Sequence, residues 1–299
     1  MPSFIPPVFS GSNGRRFVAI AAVVSSFMCA SRPDASAQAI VAIGDSITAG
    51  GYPLTSPGLP PWGLSYRDPL TRLLNGETIG TSNPTGTVYD VTMVGTLATN
   101  WHTDSTLTPG YLLNDPLFTM HAGYYGWRTE QVNEVLPTTF TPFNADIALV
   151  YLGTNDALQE TPLATTKTAF SGILTTLQSA GVSNVFVAQI GPLGGGNAIH
   201  NPAIDAINAF IGGELSTQFN FHIVNLTAQD PWTHLTWDRI HPSEAGERLI
   251  AEAFFNSMVS ANVLSAIPEP STYAAILGVM ALGGTMVVRR RRKGARHAA

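Results

Sequence analysis

Five short runs of apolar and β-branched residues recur along the chain, at 39–45, 88–95, 146–152, 184–190 and 221–227. They are continuous rather than alternating, as parallel strands buried on both faces must be. Helical patterns lie between and after them, at about 66–75, 127–136, 162–180, 201–219 and 242–260. Strand-then-helix alternation of this kind builds βαβ units, in which helices cover both faces of one sheet. The expected fold is a three-layer α/β/α sandwich around a central, mainly parallel five-stranded sheet. No internal repeat or linker divides residues 38–262, which read as one domain. Residues 51–63 and 96–120 are long Gly/Pro/Thr-rich connections, and loops of that length are often functional. Gly191-Pro-Leu-Gly-Gly-Gly196 lacks the Lys-Ser/Thr of a phosphate loop and reads as a flexible connection.

Three polar strings lie where this pattern turns from strand to helix: Gly44-Asp-Ser-Ile-Thr48, Gly153-Thr-Asn-Asp156 and Asp238-Arg-Ile-His241. In an open α/β sheet, ligands bind beyond the carboxyl ends of the strands. The strings supply the groups that acyl transfer needs. Ser46 is a hydroxyl nucleophile and His241 a base. Asp238 is a carboxylate placed to orient that base, and Asn155 is an amide donor for a developing oxyanion. Each has a plainer alternative: a helix cap for Ser46, a surface carboxylate for Asp238, a turn for Asn155. Their joint occurrence favours chemistry. Pro242 suits the first turn of the helix after His241.

On these strings the chain resembles the SGNH hydrolases of the GDSL esterase/lipase group, over roughly residues 39–260. Ser46 and Asn155 match the first and third blocks of that family, and Asp238 with His241 the last. The segment His121-Ala-Gly-Tyr-Tyr-Gly-Trp-Arg-Thr129 resembles the glycine block of carbohydrate esterase family three. The resemblance implies an oxyanion hole made by the backbone N–H groups of Ser46 and Gly126 and the Asn155 amide, with Gly123 as the rival glycine. It also implies that Asp45 and Asp156 are structural, accepting loop hydrogen bonds.

Both ends read as targeting segments. Arg15-Arg16, the apolar run 17–30 and Ala35-Ser-Ala37 have the order of a secretory signal over residues 1–37. Cleavage is expected after Ala37, although Ala39 offers a second site. Residues 263–299 hold Pro268-Glu-Pro270, an apolar stretch from Tyr273 to Val288 and the cluster Arg289-Arg-Arg-Arg-Lys293. That order is expected of a transmembrane helix with its basic end in the cytoplasm. It resembles the PEP-CTERM sorting signals of Gram-negative bacteria, which implies an exosortase-type partner.

Without the two ends, residues 38–267 hold six Lys+Arg against eighteen Asp+Glu, a net of −12. Such a body repels nucleic acid, and no nucleic-acid partner is expected. The single cysteine, Cys29, lies within the leader, and the histidines show no ligand spacing, so neither a metal nor another cofactor is expected. Trp62, Trp101 and Trp127 fall in connections near the three strings, where aromatic faces could stack on sugar rings or pack the loops onto the sheet. The sequence therefore leads to an exported serine esterase for short acyl, chiefly O-acetyl, esters on carbohydrate. A lipase- or lysophospholipase-like hydrolase, or a non-catalytic carbohydrate-binding surface protein, are the rival readings.

Overall fold

The computed structural model describes residues 37–50, 65–98, 120–139, 144–227, 236 and 238–267. The leader, the Pro-Glu-Pro segment and the apolar, basic tail lie outside them, as do Trp62 and Trp101. Among the described residues, no helix is long and apolar enough to cross a membrane.

The chain enters through β1 (Gln38–Gly44), whose Ile40, Val41, Ala42 and Ile43 are wholly buried. Burying each large aliphatic side chain contributes about 1.5–3 kcal/mol. A short helix α1 (Ser46–Ala49) follows, then α2 (Arg67–Leu74), β2 (Val91–Val94), β3 (Leu97–Ala98) and β4 (Met120–Gly123). The rest alternates as expected: α3 (Thr129–Thr139), β5 (Ile147–Tyr151), α4 (Thr154–Leu158), α5 (Leu163–Ser179), β6 (Asn184–Ala188), α6 (Asn201–Phe210), β7 (His222–Val224) and α7 (Glu244–Ser260). A π turn over Ile211–Leu215 continues α6.

The strands form one sheet in the order β3-β4-β1-β5-β6-β7, with β2 also on β1. Every pairing is parallel except β3 with β4. The α/β class and the parallel sheet are as expected, but the sheet has seven strands rather than five. The additional pair, β3 and β4, comes from the glycine block and the loop before it. One edge of β1 is shared: β2 pairs with Gln38 to Val41, and β4 pairs with Ile43 and Gly44. Helix α2 packs on α7, whereas α3 packs on α5 and α5 on α6, and these two groups cover the sheet.

The carboxyl end of β1 leaves no room for a side chain. A Cβ on Gly44 would lie 2.1 Å from Thr48 Oγ1 and 2.6 Å from the Tyr151 carbonyl oxygen. The chain can therefore turn into α1 directly against β5. Gly44→Ala is expected to destabilise the domain by about 1–3 kcal/mol through overpacking. Urea denaturation of the variant checks this, and wild-type stability would show that the turn yields freely.

Candidate active site

Ser46 is the first residue of α1, and Asp45 caps that helix by accepting from the Ile47 N–H at 2.9 Å. The cap role that Ser46 could have filled is thus taken by its neighbour. The Ser46 hydroxyl lies instead 2.9 Å from His241 Nε2, across 195 residues of sequence.

Asp238 and His241 share one turn. Asp238 Oδ2 is 2.6 Å from His241 Nδ1, while its Oδ1 accepts the backbone N–H groups of His241 at 2.6 Å and Ile240 at 2.9 Å. Partial burial tends to raise this carboxyl. The hydrogen bonds from His241 and Ile240 outweigh it and hold the group below its ordinary range. An ionised Asp238 places the proton of neutral His241 on Nδ1 and leaves Nε2 as an acceptor facing Ser46. Arg239 stands at φ +74°, a left-handed conformation that costs a non-glycine residue about 1–3 kcal/mol.

The Gly191–Gly196 connection supports that turn. Gly194 N–H donates to the Arg239 carbonyl at 3.1 Å, and the Arg239 side chain lies on Gly195. Asn208 accepts from Ile190 N–H and donates to the Ile190 carbonyl, both at 2.8 Å, and Asn201 Oδ1 accepts from Leu193 N–H at 2.7 Å. The flexible connection expected from its glycines is therefore held at several points by α6 side chains. Pro242 lies just outside α7, whose cap is Ser243, and not in its first turn.

Asn155 is the second residue of α4, after Gly153 at φ +109°. Its Nδ2 donates to Asp45 Oδ2 at 3.3 Å, which ties the amide to the Ser46 turn and leaves a second N–H. Asp156 is buried and accepts from Thr129 N–H and Thr129 Oγ1, both at 2.8 Å, and from Thr166 Oγ1 at 3.0 Å. It joins the starts of α3, α4 and α5.

Residues 40–254 match the GDSL-like lipase/acylhydrolase family. The chain belongs to that family. It is a serine ester hydrolase, and its fold is shared by several solved structures. One is a carbohydrate esterase family 3 protein from Talaromyces cellulolyticus, at 18% identity and a TM-score of 0.56 over 75% of this chain and 97% of that one. Another is a family 3 carbohydrate esterase from Clostridium thermocellum, at 20% identity and 0.52 over 75% and 96%. A mutant acetyl esterase with an acetate ion aligns at 19% identity and 0.55 over 75% and 97%. No curated protein matches the chain.

The two glycines of the family's second block differ in their surroundings. Gly123 ends β4, and its N–H already donates to His121 Nδ1 at 3.0 Å. Burial, with the Arg67 charge, pushes His121 down to about 3, so the ring is neutral and carries its proton on Nε2. Gly126 has φ +70°, open space where a side chain would stand, and no hydrogen bond to its N–H among the described residues. Gln159 Nε2 holds the Gly126 carbonyl at 2.8 Å. Trp127 is half-buried and stacks on Tyr124 with ring centroids 4.5 Å apart, so it braces the loop that presents Gly126. Tyr125, an aromatic residue of the same loop, is 52% exposed and donates its hydroxyl hydrogen to the Gly50 carbonyl.

Asp45 holds both the helix cap and Asn155. Burial pushes its carboxyl up from 3.8 to about 7, against the Ile47 N–H and His241. The folded protein therefore binds this proton more tightly than the unfolded chain. Stability from the group is complete below the ordinary value and is lost as pH rises through about 7. Asp45→Asn keeps an oxygen for Ile47 but turns an amide towards Asn155, whose own amide must then flip. The expected result is a roughly 10- to 100-fold loss in kcat with little change in KM. The thermal midpoint of the variant should also improve relative to wild type as pH rises from about 4 to about 7, the window set by the same shift. Unchanged kcat would show that Asp45 does not orient Asn155.

Proposed function

We propose that the protein is an exported serine esterase that removes short acyl groups, chiefly O-acetyl, from carbohydrate. The observation that carries the chemistry is the continuous hydrogen-bonded series from Ser46 Oγ through His241 to Asp238, at 2.9 and 2.6 Å. In this reading Ser46 Oγ attacks the acyl carbonyl carbon as His241 Nε2 takes the hydroxyl proton. Asp238 stabilises the resulting imidazolium. The oxyanion is held by the N–H groups of Ser46 and Gly126 and by the free amide hydrogen of Asn155. Collapse expels the sugar alcohol, which takes its proton from His241. Water then attacks the acyl-enzyme, again with His241 as base, and frees the acid and Ser46.

The carbohydrate assignment is supported by the glycine-block segment His121–Thr129 and by the neighbouring fold of carbohydrate esterase family 3. The acidic body adds to it, since a neutral acetylated sugar meets no repulsion there. Export rests on the order of residues 1–37. Retention at the envelope, through a C-terminal helix and a sorting enzyme of exosortase type, rests on the order of residues 263–299.

Ser46→Ala and His241→Ala are each expected to lower turnover by about 10⁴-fold or more without unfolding the domain. A tenth of wild-type activity in Ser46→Ala would sink the mechanism. Asn155→Ala should lower kcat by roughly 10²–10³-fold with KM little changed, as a transition-state donor does. For the substrate, initial rates on acetylated xylan and on p-nitrophenyl acetate, butyrate and laurate decide. Acetylated xylan and acetate should lead; a preference for laurate would favour the lipase-like reading.

Protease treatment of intact spheroplasts tests the location. The catalytic domain should be digested there, because the positive-inside bias places the arginines in the cytoplasm and the domain outside. Survival until lysis would overturn both export and anchoring.

A further inference from the structure

Arg67 is 1% exposed, and none of the chemical steps above uses it. Removing a guanidinium from water costs several kcal/mol unless its donors are met. Here Nε donates to the Thr48 carbonyl at 2.8 Å and Nη2 to the Ala49 carbonyl at 3.0 Å. Ser65 Oγ donates to the same Thr48 oxygen at 2.9 Å, and the Tyr66 hydroxyl is hydrogen-bonded to Thr48 Oγ1 at 3.1 Å. These acceptors are the last carbonyls of α1, the four-residue helix that opens with Ser46. Its own helical bonds are few: Ala49 N–H to Asp45 at 2.9 Å and Gly50 N–H to Ser46 at 2.8 Å. An isolated turn of that length is not stable alone. Its shape must be imposed from outside, and a cation at the carboxyl end of a helix suits the partial negative charge there.

Tyr66 and Arg67 also reach the other half of the site. The Tyr66 ring stacks on Phe254 of α7, with centroids 5.3 Å apart. Glu247, in the first turn of α7, is buried and lies in the field of Arg67. Helix α7 begins three residues after His241, so Tyr66 and Arg67 reach both the turn that carries the nucleophile and the helix that follows the base.

We propose that Arg67, with Ser65 and Tyr66, is a positioning clamp that sets the nucleophile turn against α7 and so fixes the Ser46–His241 distance. The proposal rests on Ser46 being the nucleophile. Arg67 touches no substrate; it acts through the Thr48 and Ala49 carbonyls. A misplacement of about 1 Å at a reacting atom is enough to cost on the order of 10²-fold in rate.

The test compares Arg67→Met and Arg67→Lys with wild type, using p-nitrophenyl acetate and a serine-directed phosphonate, at a temperature where each variant is folded. Arg67→Met should lose about 10²-fold in kcat with KM within twofold, and phosphonate labelling of Ser46 should slow in the same ratio. Arg67→Lys, which can still reach one carbonyl, should recover part of both. A lowered melting temperature with kcat and labelling within threefold of wild type would reduce Arg67 to a structural residue and overturn the proposal. Arg67→Met removes the charge that lies nearest in effect to the buried Glu247 carboxyl. If it fails to fold, Arg67→Met/Glu247→Gln, which also removes the buried ionisable group, is measured instead. Should that fail too, Ser65→Ala decides: a threefold to tenfold slowing of labelling supports the clamp, and wild-type labelling overturns it. Ser46→Ala run alongside keeps the two readings apart: activity in that variant would refute the nucleophile on which the clamp rests, whereas an inactive Ser46→Ala with wild-type labelling in Arg67→Met would refute the clamp alone.

Discussion

Strand β1 is hydrogen-bonded along both edges, to β2 and β4 on one side and β5 on the other. With partners on both edges and both faces covered by apolar side chains, it has little freedom to slide or tilt. Its carboxyl end therefore has one position relative to β4 and β5. Ser46 follows that end, the glycine loop follows β4, and the Asn155 helix follows β5 with two residues between. Parallel pairing is what brings the three together, because it puts all three carboxyl ends on one edge.

The site is then held by polar groups that the core has taken out of water. Asp45 joins the cap of α1 to Asn155, and Asp156 joins three helix starts. Arg67 meets the other end of α1, and His121 accepts the Gly123 N–H inside the sheet. Each of these would be costly if left unpaired. The consequence is that the reacting groups need not hold themselves. Ser46 and Asn155 stand on helices of four and five residues, which is too short to be rigid without such partners.

Much of this was legible in the sequence, for a definite reason. A strand buried on both faces must be written as a continuous apolar run, so β1, β5 and β6 announce themselves, and the polar strings at two of their ends stand out by contrast. Strand β4 did not, since Met120-His-Ala-Gly123 mixes a neutral histidine and a glycine into a run of four. β3 has only two residues. Gly123 and Gly126 differ in whether the N–H is already engaged, which spacing cannot show. Arg67 was invisible because an arginine at a helix start normally stays in solvent. Only the fold reveals that Thr48 and Ala49 lie above it. The glycines of 191–196 suggested flexibility, whereas Asn201 and Asn208 hold that loop through side chains that composition does not place.

The geometry of Asp238 and His241 is local, and that of Ser46 is not. Asp238 and His241 lie three residues apart, and one carboxylate accepts both the ring and the backbone of the histidine. Their mutual orientation is built into a single turn, with the strain at Arg239 offset by Gly194. The contact between Ser46 and His241 spans 195 residues and belongs to no element of its own. It depends on β1 being fixed in the sheet, on α1 being gripped at both ends, and on α7 packing against α2. Damage far from the chemistry should therefore act on the Ser46–His241 distance before it disturbs the Asp238–His241 pair. Loosening the core would leave His241 well oriented with Ser46 out of reach.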